Sequence, residues 1–222
     1  GDLASVFLSS LESSYDDEGQ LSVDIQMNDD SIMTSRFAFT SLAFESDGQI
    51  LAAGFDSGEV RLVDLNDPSG QTKMSTLLDP AGINHIQFNH NNHLVVASRS
   101  AVVGPYLWDF RSSQRGPSLH LATVGTGHQQ QYTTVRPHGI TDVVYAGTSD
   151  GEVHQWDMRF PNEYINAVGV GEDPTRSSSS DRITQLVFSG GDTQGNTQLA
   201  AATASGKVRH VNFGGRDPPI TF

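Results

Sequence analysis

The sequence predicts an all-β chain of repeated antiparallel sheets, and three observations lead to this fold class. Nine-residue segments that begin at Asp56, Ser149 and Ala204 align without gaps, and each joins a turn closed by Gly to a strand of alternating side chains. These segments and one degenerate copy end on a small polar residue: Asp64, Asp109, Asp157 and Asn212. The intervals are 45, 48 and 55 residues, near the period of about 40–45 typical of a four-stranded propeller blade. No window shows the long 3.6-residue apolar period of a helix.

Residues 1–36 precede the first repeat and form an acidic, Ser-rich segment. They carry eight acidic side chains and one base, Arg36, which accounts for -7 of the formal net charge of -13. Short strands are predicted at Val6-Phe7-Leu8 and along the alternating run from Leu21 to Ile25, and they would belong to a preceding blade in a larger ring. The run Asp16-Asp17-Glu18 between them is interpreted as a solvated loop, because like charges repel; docking of a basic partner is the alternative.

Four repeats follow, over about residues 37–80, 81–125, 126–171 and 182–222. Each repeat has two strands before the aligned segment: 41–44 and 50–54, 85–88 and 94–98, 131–135 and 142–147, 185–188 and 199–202. A proline breaks the chain after each segment: Pro68, Pro117, Pro161 and Pro218. Apolar stretches at 74–78, 119–124 and 165–170 suit the outer strand of the first three repeats. The fold class is therefore an all-β propeller with four recognisable blades of four strands.

The dipeptides Trp108-Asp109, Trp156-Asp157 and Gly127-His128 resemble the WD40-repeat family of β-propellers over residues 37–222. The resemblance implies a stabilising network in the third repeat: His128, Thr148, Asp150 and Trp156. In the first and fourth repeats these positions differ, since Val63 and Val211 replace Trp, and Ser57 and Ser205 replace Asp. Family members usually close a ring of about seven blades. We therefore expect the missing blades to come from the rest of a longer polypeptide or, less favoured, from a partner chain.

The two WD dipeptides extend to Trp108-Asp109-Phe110-Arg111 and Trp156-Asp157-Met158-Arg159. Paired W-D-x-R motifs resemble those of WD40 substrate receptors that dock on the damage-binding adaptor of cullin-RING ubiquitin ligases. This resemblance makes four residues candidates for partner binding: Asp109, Arg111, Asp157 and Arg159. The second repeat departs from the longer motif, because Arg99-Ser100 and an insertion stand where the Asp is expected. The alternative is that each Arg braces its own blade through the preceding Asp.

Composition narrows the function classes further. The chain has no Cys, which excludes thiolate catalysis and Cys-ligated metals, and its pI near 4.8 argues against direct nucleic-acid or anionic-membrane binding. We identify no catalytic, cofactor-binding or metal-binding residues: His90 and His93 lack a third ligand, and Ser41, Ala43 and Thr133 on the inner strands form no acid–base set. The Ser-rich run 177–180 is interpreted as a connector, with phosphorylation as the alternative.

These observations predict an intracellular, non-catalytic protein-interaction scaffold, cytoplasmic or nuclear. Within that class the candidates are a ubiquitin-ligase substrate receptor and a general propeller subunit of a nuclear-pore, chromatin or trafficking assembly. A propeller enzyme or small-molecule binder with a site at the central channel is the third hypothesis, and it is disfavoured.

Overall fold

The computed structural model describes residues 4–15, 21–35, 37–67, 72–100, 104–111, 119–121, 130–162, 164–170, 181–189, 198–211 and 213. Within these ranges the chain contains β-strands and turns and no helix. The predicted all-β class is confirmed. Several predicted features lie outside the described residues: His128, Pro68, Pro117, Pro218, the acidic run 16–18 and the Ser-rich run 177–180.

The N-terminal segment contributes two strands, β1 (Ala4–Tyr15) and β2 (Leu21–Ser35). They pair antiparallel with each other, from Ala4 opposite Ser35 to Tyr15 opposite Leu21, and form a separate two-stranded sheet. The strands are longer than the short ones expected, because pairing continues beyond the apolar triplet and the alternating run through the Ser-rich sequence.

Four antiparallel sheets follow, each built from consecutive strands in chain order. The first contains β3 (Phe39–Phe44), β4 (Ile50–Phe55), β5 (Glu59–Asp64) and β6 (Thr72–Leu77). The second contains β7 (Ile83–Phe88), β8 (Leu94–Ser98), β9 (Tyr106–Trp108) and β10 (Leu119–His120). The third contains β11 (Tyr132–Pro137), β12 (Val143–Thr148), β13 (Glu152–Asp157) and β14 (Asn166–Gly169). The fourth contains β15 (Ile183–Ser189), β16 (Gln198–Thr203) and β17 (Val208–Val211), so three of its four predicted strands fall in the described residues.

The hydrophobic core lies between successive sheets. One cluster joins the first and second sheets around Ile86 and Trp108, the next joins the second and third around Tyr132 and Trp156, and a third joins the third and fourth around Ile183. The middle strands β4, β8 and β12 are buried along their whole length. Both faces of each middle strand are covered, which is why these strands are continuous apolar runs.

Inner strands of neighbouring sheets are also linked by polar side chains. The Ile86 N–H donates to Ser41 Oγ at 3.1 Å, and the Val135 N–H donates to His85 Nδ1 at 3.3 Å. The buried Thr133 hydroxyl donates to the Ile183 carbonyl oxygen. These hydrogen bonds satisfy buried polar groups where neighbouring sheets meet, and they link each sheet to the next.

Strand pairing defines the edge of the molecule that carries the candidate site. Ile50 pairs with Asp64, Leu94 with Trp108, and Val143 with Asp157. The turns between the first and second strands of each sheet therefore lie beside the ends of the third strands. We call this edge the AB rim, because it carries the turns between the first (A) and second (B) strands of the sheets. It is formed by residues 45–49, 64–66, 89–93, 109–111, 138–142 and 157–160.

Candidate functional site

Arg159 lies at the AB rim and braces the blade that carries it. Its Nε–H donates to both carboxylate oxygens of Asp157, at 2.9 and 3.1 Å, and its Nη2 lies 2.6 Å from Oδ2. The backbone N–H of Arg159 donates to the same carboxylate at 3.0 Å. These hydrogen bonds from Arg159 hold the pKa of Asp157 below its usual value, although burial opposes them. The Asp157 side chain is 7% exposed and the Arg159 side chain 51% exposed, so one face of the guanidinium remains at the surface.

Arg111 occupies the equivalent position but has a different partner. Its backbone N–H donates to Asp109 Oδ1 at 3.1 Å, whereas its Nη2 donates to Glu45 Oε1 at 3.0 Å. Glu45 follows β3 in the first sheet, and its side chain is 7% exposed, so this ion pair joins two neighbouring sheets. Sequence reasoning missed Glu45, because nothing local marks a pairing across 66 residues.

Polar side chains continue along the AB rim from sheet to sheet. Ser46 Oγ donates to Asn92 Oδ1 at 2.9 Å, and Asn91 Nδ2 donates to Asp142 Oδ1 at 3.3 Å. His90 Nε2 lies 3.8 Å from the same Asp142 oxygen. Exposed apolar side chains stand among them, notably Ile140 and Phe160. The rim therefore mixes fixed charges with exposed apolar groups, a composition found at protein-binding surfaces.

Three of the four network residues predicted in the third repeat are described. Thr148 is buried, and its Oγ1 accepts the Glu152 N–H at 3.0 Å. Asp150 Oδ1 accepts the Ser149 hydroxyl at 2.9 Å, and Trp156 is fully buried. Because His128 lies outside the described residues, the predicted His–Thr–Asp–Trp network stays a prediction.

A second polar network in this blade was not predicted. The Tyr132 hydroxyl lies 3.0 Å from His154 Nδ1, and His154 Nε2 lies 3.1 Å from Glu152 Oε2. Gln130 donates to the same Glu152 oxygen at 3.0 Å. Burial lowers the pKa of His154 below its usual value, with the Glu152 contact opposing, and burial raises the pKa of Tyr132. These rings pack against Trp156, so the network is part of the core between the second and third sheets.

The second repeat, which departs from the longer motif, buries its Trp without a hydrogen-bond partner among the described residues. Trp108 is fully buried like Trp156, but its indole N–H finds no hydrogen-bond partner among the described residues. The nearby Tyr106 hydroxyl instead donates to Asp79 Oδ2 at 3.2 Å, and burial, with the Asp79 charge second, raises the Tyr106 pKa to about 12. Burying an indole donor without an acceptor costs about 1–3 kcal/mol.

Metal-binding clusters and membrane-crossing helices are both absent from the described residues. No group of three or more His, Asp or Glu side chains is arranged to hold a metal ion within the ranges given above. In the same part of the chain no helix is long and apolar enough to cross a membrane.

Comparison with known proteins gives two similar relatives. Histone-binding protein MSI1 of Saccharomyces cerevisiae is 29% identical over 108 residues, which is 49% of this chain and 25% of the relative. Pre-mRNA-processing factor 19 of Schizosaccharomyces pombe is 29% identical over 84 residues, which is 38% of this chain and 17% of the relative. The similarity thus spans a quarter or less of either relative's length. No family model matches the sequence.

Proposed function

Because this chain belongs to the WD40-repeat family of β-propeller proteins, we propose that it is a non-catalytic protein-interaction scaffold of a multiprotein complex. The observation that carries the proposal is the AB rim, where half-exposed arginines stand beside exposed apolar side chains. Arginine and aromatic residues are enriched where proteins bind one another. The Saccharomyces cerevisiae relative is named a histone-binding protein, and a protein ligand for this chain is consistent with that name. An intracellular site of action, nuclear or cytoplasmic, is part of this proposal.

A ubiquitin-ligase substrate receptor is the more specific form of the proposal. It is supported by the equivalent placement of Arg111 and Arg159, each just past the third strand of adjacent sheets and each with about half of its side chain exposed. An exposed guanidinium face can still bind a partner's carboxylate or carbonyl oxygens in fork geometry. Asp109 and Asp157 would then act by orienting the arginines, since each accepts the backbone N–H of its arginine.

Further blades are also part of the proposal, supplied by the same polypeptide or by another chain. On the fourth sheet, Val187 and Val208 are 46% and 72% exposed. They lie on the face opposite the core shared with the third sheet. A soluble propeller normally covers such a face with the next blade.

The test compares the parent chain with Arg111→Ala/Arg159→Ala and with Arg182→Ala, an exposed cation at the opposite edge. Each protein is used to capture the purified ligase adaptor and, separately, partner proteins from cell extract, and thermal unfolding is recorded alongside. If the rim binds partners, the double variant weakens capture by about tenfold or more while Arg182→Ala does not. Loss of capture that only accompanies loss of fold would support the bracing role instead. Unchanged partner capture would exclude the rim as the docking surface, and a missing adaptor signal alone would remove only the substrate-receptor form.

A further inference from the structure

A cavity of about 510 Å³ lies at the AB rim, where the inner strands of all four sheets end. Its described wall has an apolar part, formed by Phe44, Phe88, Pro137, Ile140 and Phe188, and a polar part that includes two histidines and one arginine, Arg136. No Asp or Glu of the described residues lines it. The volume falls within the range of about 300–1,000 Å³ typical of ligand sites.

Arg136 is the one Arg or Lys side chain among the described residues that line this cavity, and it has no hydrogen-bond or ion-pair partner in the described parts of the chain. Its Nε is buried with no hydrogen-bond partner, and no carboxylate in the described parts of the chain lies within ion-pair distance of its guanidinium. The guanidinium carbon lies 5.9 Å from the centre of the Phe188 ring, a cation–π distance. Tyr145 and His138 contact the same ring edge-on, at 5.5 and 5.3 Å, and so hold it in place.

Three carboxylates of the AB rim are already engaged by other groups. Glu45 pairs with Arg111, and Asp157 with Arg159. Asp142 accepts from Asn91. Among the described residues Arg136 is therefore a positive site without a counter-ion, in a chain whose net charge is -13. A guanidinium donor buried without an acceptor gains most from an anionic oxygen supplied by a ligand.

The surroundings of Arg136 indicate what else that ligand carries. Phe44 and Ile140 on the cavity wall are 49% and 80% exposed. Covering them would remove apolar surface from water at the position where the carboxylate would bind. Phosphate is a poorer fit, because it offers nothing to these apolar groups.

We propose that this cavity binds a short segment of a partner protein in which an Asp or Glu stands next to an apolar or aromatic residue. Arg136 receives the carboxylate, and Phe44, Phe188 and Ile140 receive the apolar side chain. The inference rests on the proposed scaffold function and names the chemistry of one of its partners.

The test selects a phage library of random dodecapeptides on the immobilised full chain. Enriched peptides are then synthesised with a fluorescent label and titrated by anisotropy against the parent, Arg136→Gln and Arg182→Gln. Gln keeps much of the side chain's length and polarity but removes the charge. The Arg182 variant removes an equivalent charge from an exposed position at the opposite edge. Circular dichroism and thermal unfolding establish that each variant is folded.

The expected result is enrichment of peptides with an acid beside an apolar residue. We expect them to bind Arg136→Gln about tenfold more weakly or worse, Arg182→Gln like the parent, and to resist displacement by inorganic phosphate. Enrichment of neutral peptides, equal binding to Arg136→Gln, displacement by phosphate, or no enrichment would each overturn the proposal. If partner capture from extract still depends on the AB rim in any of those cases, only this inference fails. If peptides bind through Arg136 but no partner is captured, it is the scaffold function that fails.

Discussion

Gly58→Ala is expected to destabilise the protein far more than the same change at the equivalent turn of the fourth repeat. Gly58 has a φ of +85°, and a Cβ built on it would lie 1.6 Å from the backbone oxygen of Asp79. Its own carbonyl oxygen accepts the N–H groups of Leu78 at 3.0 Å and Asp79 at 3.3 Å. Any side chain larger than hydrogen must therefore push the turn away from the segment that it bonds.

The magnitude follows from two contributions. A left-handed conformation costs an Ala about 1–2 kcal/mol, and separating the turn from Leu78 and Asp79 loses two hydrogen bonds worth about 0.5–1.5 kcal/mol each. The expected loss in the free energy of unfolding is about 2–5 kcal/mol. For a chain of this size that corresponds to a fall in Tm of about 4–20 °C.

Gly206→Ala is the matched control, because Gly206 has a φ of +81° and no neighbouring segment of the described residues lies within 4 Å of the position that a Cβ would take. It should lose only the conformational contribution of about 1–2 kcal/mol. Urea unfolding followed by circular dichroism measures both variants, and Gly58→Asn and Gly206→Asn add a residue that tolerates positive φ. Equal losses of free energy in the Gly58 and Gly206 variants, or a Gly58→Asn variant as stable as the parent, would contradict this prediction.

Three other predictions concern the third blade. Trp156→Ala should lower the free energy of unfolding by about 3–5 kcal/mol in urea titration, because it removes a fully buried aromatic side chain; a loss under about 1 kcal/mol would contradict this. Burial lowers the pKa of His154, so the unfolded chain binds a proton that the folded protein does not. Tm should therefore fall as the pH drops below about 6.5, and His154→Gln should reduce that slope. Arg159 lowers the pKa of Asp157, so this ion pair stabilises the folded protein above about pH 4. That stabilisation is lost as the pH falls through the pKa of Asp157 in the folded protein. An acid unfolding midpoint that Asp157→Asn leaves unmoved would be evidence against that contribution.

Much of the fold could be predicted from the sequence because its signals are local. The turn glycines at 58, 151 and 206 all have φ between +81° and +85°, and alternating strands follow them, as the aligned segments indicate. The ion pair of Arg159 is also local, since its partner Asp157 is two residues away. Bracing of the blade through this Asp is one of the two alternatives that the W-D-x-R motif predicts. Contacts between residues this close in sequence can be predicted from the repeat itself.

The partners that cross from one sheet to another depend on the tertiary structure. Arg111 and Arg159 occupy the same motif position, yet Arg111 pairs with Glu45 in the preceding sheet. Gly58 and Gly206 occupy equivalent turns with similar φ angles, but in the described part of the chain another segment packs against Gly58 and none against Gly206. Arg136 has no motif, and its importance comes from what surrounds it. Local sequence patterns therefore predict the strands of the four repeats, their turns and their order, because consecutive strands in each sheet are hydrogen-bonded neighbours. Whether Arg111 and Arg136 have an ion-pair partner among the described residues depends instead on how the sheets pack, because packing brings together residues from distant parts of the chain.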